Sequence, residues 1–220
     1  KPVYADTETC GFYQKVRLLQ LMQDDWEKAV LVEWPCMMSA MALMNKLDTK
    51  WHNAHYDITT FQQQTETRWV PDNFDCTFLL ARLAFPNKEK FSLDETFVYT
   101  LGHDPYLSQG LDKKKLQKSK WDVAKLSDDQ LAYAATDVFY MPALWAAVKD
   151  AKDTSSYQLD KSTLITCLDF QWNGMPVDNA IRLPMHDDIT AEIKEMAMPI
   201  NINSWQQVRP YIGEEESDDL

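Results

Sequence analysis

The sequence predicts an α/β fold, a mixed sheet flanked by helices and followed by a short helical C-terminal extension. Three observations carry this. Three short apolar segments with turns between them fill residues 2–34. A return strand and several segments of helical spacing come next. A polar stretch, Asp150-Ala151-Lys152-Asp153-Thr154-Ser155-Ser156, then sets off two last amphipathic segments.

Residues 2–6 read as the first strand, 16–22 as the second and 29–34 as the third, with Asp24-Asp25 as a turn signal. These connections are too short for helical crossovers, so the three form an antiparallel meander. Residues 37–47 follow Pro35 and are rich in Met and Ala at helical spacing, which reads as a core helix. Trp51-His52-Asn53 reads as a fourth strand, and 55–64 as a helix with Asp57 in its first turn. Residues 74–84 and 92–101 read as helices, the second opened by a capping box of Ser92 and Glu95. Ser127-Asp128-Asp129 caps a helix running to about residue 150, which Pro142 must kink or split. Residues 157–173 and 181–196 read as helices beyond the polar stretch. Two units follow, 1–152 and 153–220, ending in an acidic tail, 213–220, expected to fray.

Composition excludes several classes. The 220 residues are 45% apolar, enough for one core and a small appendage. With 5 glycines and no glycine-rich phosphate loop, nucleotide binding of the P-loop or dinucleotide type is unsupported. The 4 cysteines are scattered without a Cys-x-x-Cys, which points to a reduced cytoplasmic setting rather than a zinc or redox site. No uninterrupted apolar run approaches the ~20 residues of a membrane span, so no membrane is expected. The start lacks an initiator Met, as expected of a piece of something longer. The net charge of −12 has the wrong sign for a generic duplex binder. One basic run, Lys113, Lys114, Lys115, Lys118, Lys120 and Lys125, is either a solvated face or a local phosphate track.

The acids carry the chemistry. Asp6 and Glu8, two apart on a strand, project from one face and raise each other's pKa, a penalty that a cation removes. Tyr133 and Asp137, four apart on a helix, address one site. Asn53 and Asp57 bridge a strand end and a helix start, where the helix dipole favours the Asp57 anion. Each pair alone is a weak signal. The ordered set Asp-x-Glu, Asn-x-x-Tyr-Asp, Tyr-x-x-x-Asp is far more specific.

That set resembles the three exonuclease motifs of the DEDDy exonucleases, whose fold is RNase H-like (DnaQ-like). Tyr133 four before Asp137, with Ala132 where the other branch carries His, puts the likeness in the Tyr branch. The 3′-5′ proofreading domain of family-A DNA polymerases, of the bacterial polymerase I and phage type, is the nearest likeness. Gln171-Trp172-Asn173-Gly174-Met175-Pro176-Val177-Asp178 and Ile200-Asn201-Ile202-Asn203-Ser204 are similar to the opening and thumb of the polymerase region that follows it. Palm and fingers have no counterpart here, so the chain is either a stand-alone nuclease or a fragment.

The resemblance implies a 3′-5′ exodeoxyribonuclease that releases nucleoside monophosphates from single-stranded or frayed DNA 3′ ends. It also implies two divalent metal ions, Mg²⁺ with Mn²⁺ able to substitute, held by Asp6, Glu8, Asp57 and Asp137. Asp6 bridges both ions in this scheme, and Tyr133 orients the attacking water. Thr7, Thr9, Phe12 and Asn53 are implied to contact substrate, Phe12 as a wedge between terminal bases. A separate family-A polymerase polypeptide is the implied protein partner, in the cytoplasm of a bacterium or phage-infected cell. The competing expectations are an RNase D-like RNA exonuclease and a subunit that docks a polymerase.

Overall fold

The computed structural model describes residues 1–11, 15–33, 36–196, 201 and 204–209. Phe12, the end of the third expected strand at Trp34, most of the Ile200–Ser204 element and the acidic tail lie outside these residues. Five strands form one mixed sheet in the order β3-β2-β1-β4-β5. Strands β1 (Val3–Thr9), β2 (Val16–Met22) and β3 (Val30–Glu33) make the antiparallel meander. Strands β4 (Asp48–Trp51) and β5 (Asn73–Cys76) add in parallel beyond β1.

Two segments differ from the sequence reading. The fourth strand lies at 48–51 rather than 51–53, because Asn53 takes a left-handed backbone (φ 63°) that ends the extended run and opens the next helix. Residues 74–76, read as helix, are strand β5, with Phe74, Asp75 and Cys76 paired to Thr49, Lys50 and Trp51. Both strands are buried on both faces, so neither shows the two-residue alternation that marks a half-buried strand.

The helices of this part are α1 (Met37–Met44), α2 (Ala54–Thr65), α3 (Thr77–Ala84), α4 (Leu93–Leu101), α5 (Pro105–Ser108), α6 (Lys113–Gln117), α7 (Asp128–Phe139), α8 (Met141–Val148) and α9 (Ser155–Asn173). Ser127 forms a capping box with Gln130 at the start of α7. The box expected at Ser92 is not made; its side chain caps no backbone N–H of the helix. Pro142 falls in the first turn of α8 and splits the long helix at Tyr140.

The alternation of β1 and β2 feeds two cores. Tyr4, Leu18 and Met22 pack on one side with Ala134, Val138, Met141 and Leu144 of α7 and α8. Ala5, Leu19 and Trp51 pack on the other with Met37, Met41, Ile58 and Phe61 of α1 and α2. The stretch Asp128–Asp153 is long and apolar enough to cross a membrane by length and composition, which a search for uninterrupted apolar runs misses. Its Tyr133, Ala134, Val138, Met141, Leu144 and Val148 are core residues here.

The polar stretch at 150–156 is a 3₁₀ turn (Lys149–Asp153) leading into α9, whose N-cap is Thr154. Helix α9 is tied down at both ends. Near its start Tyr157 donates to Asp75 (2.9 Å), and Lys152 and Lys161 approach the same carboxylate at 3.0 and 3.5 Å. Near its end Asp169 accepts two hydrogen bonds from Arg68. The first compact unit therefore runs Lys1–Gly174, further than the composition shift suggests. In the second unit, Asp178 caps α10 (Asn179–Glu195), and Val177, Ile181, Met185, Ile189 and Ile193 make an apolar row along it.

Candidate active site

A cleft of about 820 Å³ opens at the carboxyl ends of the parallel strands β1 and β4, where α/β sheets place their ligand sites. Strand β1 brings Asp6, Thr7, Glu8 and Thr9 to it, the turn after β4 brings His52 and Asn53, α2 brings Tyr56 and Asp57, and α7 brings Tyr133 and Asp137. Of the nine residues singled out in the sequence, eight line this one cleft. The ninth, Phe12, lies outside the described residues.

Asp6, Glu8 and Asp137 form a tight group, each offering a carboxylate oxygen within 4.8 Å of the others'. Burial comes first in raising the carboxyl pKa of Asp6, with the charges of Asp57 and Asp137 adding to it. Burial raises Glu8 as well, helped by Asp137 and Asp6. Asp57 and Asp137 are also raised by burial. At Asp57 burial therefore outweighs the helix dipole, the reverse of what its place in the first turn of α2 suggests.

Two of these four acids are held from outside. Thr7 donates to Asp57 at 2.6 Å, so its hydroxyl is committed to a carboxylate, and the Thr9 hydroxyl pairs with that of Tyr56 at 2.9 Å. Tyr106 on α5 donates to Asp137. Tyr133 is almost wholly buried, between the rings of Tyr106 (centroids 5.6 Å apart) and Trp121 (6.1 Å). Burial and the Asp137 charge raise its phenol, which stays a donor at any ordinary pH. Asn53 makes no side-chain cap on α2 and is exposed at the cleft.

Sequence reasoning missed Tyr106 and His52. Tyr106 sits in a four-residue helix that carries no motif. His52 pairs with the Thr77 hydroxyl (3.0 Å) and the Phe91 carbonyl (2.9 Å), and burial pushes its pKa down to about 4. A carbonyl only accepts, so Nε2 carries the proton and the ring is neutral. It braces the cleft wall and carries no charge to a substrate. Lys113 at the start of α6 is half-buried in the cleft, held by Asp94 at 2.5 Å, and its charge opposes the raised pKa of Asp6 and Asp137. Lys118 lines the cleft beside it, and Lys114, Lys115, Lys120 and Lys125 are exposed.

The donor set suits hard divalent cations. Its ligands are carboxylate oxygens, they lie close enough to share an ion, and burial, joined by neighbouring negative charge, raises their pKa. Burying such a group ionised is costly unless positive charge arrives to compensate.

The 3′-5′ exonuclease family of the DNA polymerase A type matches residues 1–150 of the chain. Among solved structures, Brucella melitensis NrnC is similar with 21% identity and a TM-score of 0.58, over 78% of this chain and 82% of that one. NrnC with bound Mg²⁺ is similar with 19% identity and a TM-score of 0.56, over the same shares. Escherichia coli RNase D, an exoribonuclease involved in structured RNA processing, is 22% identical with a TM-score of 0.56, over 80% of this chain and 46% of its own. At this identity the three show the fold, which is RNase H-like. No curated protein matches the chain.

Proposed function

The chain belongs to the 3′-5′ exonuclease family, and from that premise we propose that it removes nucleotides one at a time from DNA 3′ ends, single-stranded or frayed, as in proofreading. The observation that carries this reading is the convergence of Asp6, Glu8 and Asp137 within 4.8 Å at one end of the cleft. Two divalent cations, Mg²⁺ with Mn²⁺ as substitute, would be held by Asp6, Glu8, Asp57 and Asp137. When bound, they stabilise charge on the phosphoryl oxygens and make a water nucleophilic at neutral pH.

The protein's own groups do the positioning. Tyr133 donates its hydroxyl hydrogen to orient the water that attacks phosphorus, and O3′ of the preceding nucleotide leaves. Tyr106 and Thr7 fix the Asp137 and Asp57 carboxylates, so those ligands are in place before substrate arrives. Lys113 and Lys118, the two lysines of the basic run that line the cleft, offer positive charge to the backbone of the incoming strand. Local charge of this kind is what a protein of net charge −12 needs to hold a polyanion.

Digestion of 5′- and 3′-labelled oligonucleotides with Mg²⁺, Mn²⁺ or EDTA tests the reading. The expected result is release of 5′-mononucleotides from the 3′ end of DNA, abolished by EDTA. RNA degraded faster than DNA would replace the DNA reading with the RNase D-like one, which the likeness to Escherichia coli RNase D favours. Tyr133→Phe should slow cleavage by about 10- to 100-fold with metal binding unchanged, since it removes a positioning group and no ligand. An unaltered rate would remove its role.

A further inference from the structure

The side chain of Gln20 is fully buried on β2, and neither its Oε1 nor its Nε2 has a hydrogen-bond partner. An orphaned buried amide costs stability, at a strand position where Leu would pack freely. Its place on the sheet explains its use. Gln20 is the register partner of Asp6 across the β1–β2 ladder, flanked by the pairs Tyr4↔Met22 and Glu8↔Leu18. Direct partners in an antiparallel ladder share a face, with Cβ atoms about 4.5–5.5 Å apart. Tyr4, Met22 and Leu18 belong to the core beneath α7, so Gln20 and Asp6 lie together on the side of the sheet covered by the helix that carries Tyr133 and Asp137.

Asp57 has Thr7 as an outer donor and Asp137 has Tyr106. A backbone hydrogen bond from Thr7 reaches Asp6, and Gln20 is the side chain placed to add to it. We propose that Gln20 is a positioning residue for Asp6: its Nε2, unpaired without metal, donates to the Asp6 carboxylate when cations bind and fixes which oxygen turns toward them. This rests on the metal-site reading above. Loss of such an outer hydrogen bond typically costs 10–100-fold in metal affinity.

The test uses the whole chain and Mn²⁺ alone. Mn²⁺ binding is followed by electron paramagnetic resonance of the free ion, and by melting temperature, in wild type, Gln20→Leu and Gln20→Met. Both variants are expected to melt no lower than wild type without metal, because the orphaned amide is gone. Their half-saturating Mn²⁺ concentration is expected to rise about ten-fold or more. Half-saturation equal to wild type in both variants overturns the inference and leaves the metal site standing. Metal-free variants less stable than wild type, or unable to fold, also overturn it, since the amide would then be satisfied within the fold. A wild type that binds no Mn²⁺ sinks the metal site first and this inference with it.

Discussion

Asp6→Asn is expected to abolish cleavage while raising the melting temperature of the metal-free protein. The carboxylate is at the centre of the buried acid group, where burial, Asp57 and Asp137 all disfavour its charge. An amide of the same shape removes that conflict and also removes a metal ligand. The rate should fall by at least about 10³-fold, as when a catalytic group is lost outright. Stability without metal should rise by about 1–2 kcal/mol, the usual gain when a strained functional site is relaxed. Oligonucleotide digestion and thermal melting in EDTA measure the two halves. Undiminished turnover would remove Asp6 from the site, and a lower melting temperature would show that its charge is compensated within the fold.

The second large effect lies away from the cleft. Asp75→Ala is expected to destabilise the protein by about 3–5 kcal/mol, the cost of stranding a buried charge. Asp75 and Lys50 are both fully buried and paired at 2.7 Å, and Lys50 also meets Asp48 at 2.5 Å and the Trp145 ring at 4.4 Å. Burial alone would raise the Asp75 carboxyl, but the Lys50 hydrogen bond and charge, with Lys152 and Lys161, hold it below its usual value. A depressed carboxyl stabilises the fold above its unfolded pKa of ~3.9, and that contribution is lost as pH falls through the lower folded value. The gap between wild type and Asp75→Ala should therefore be full at pH 7 and close as pH drops below about 4. Chemical denaturation across that range measures it; a gap that persists in acid would mean that packing, and not the ion pair, was lost.

The site was more legible in the sequence than the sheet was. Two-residue spacing on β1 and four-residue spacing on α7 put Asp6, Glu8, Tyr133 and Asp137 on definite faces, and the fold brings those faces together. Strand β2 was readable to the residue because Leu18 and Leu19 point to opposite cores. Strand β5 was not, since Phe74, Asp75 and Cys76 are all buried and the charge of Asp75 reads as surface until Lys50 is beside it. Tyr106 and His52 escaped for a similar reason. Their roles depend on partners 31 and 39 residues away, Asp137 and Phe91, which no local pattern announces.

The anchoring of α9 also bears on how a free-standing nuclease can be cut from this chain. A truncation at the polar turn near residue 153 would strip Tyr157, which accepts from the Cys76 amide, and Lys161 from the carboxylate of the outermost parallel strand. It would bare that strand's edge and the Leu168 side of the second core to solvent. The compact unit ends at Gly174, so the helix that follows the composition shift is an outer wall of the body that holds the cleft.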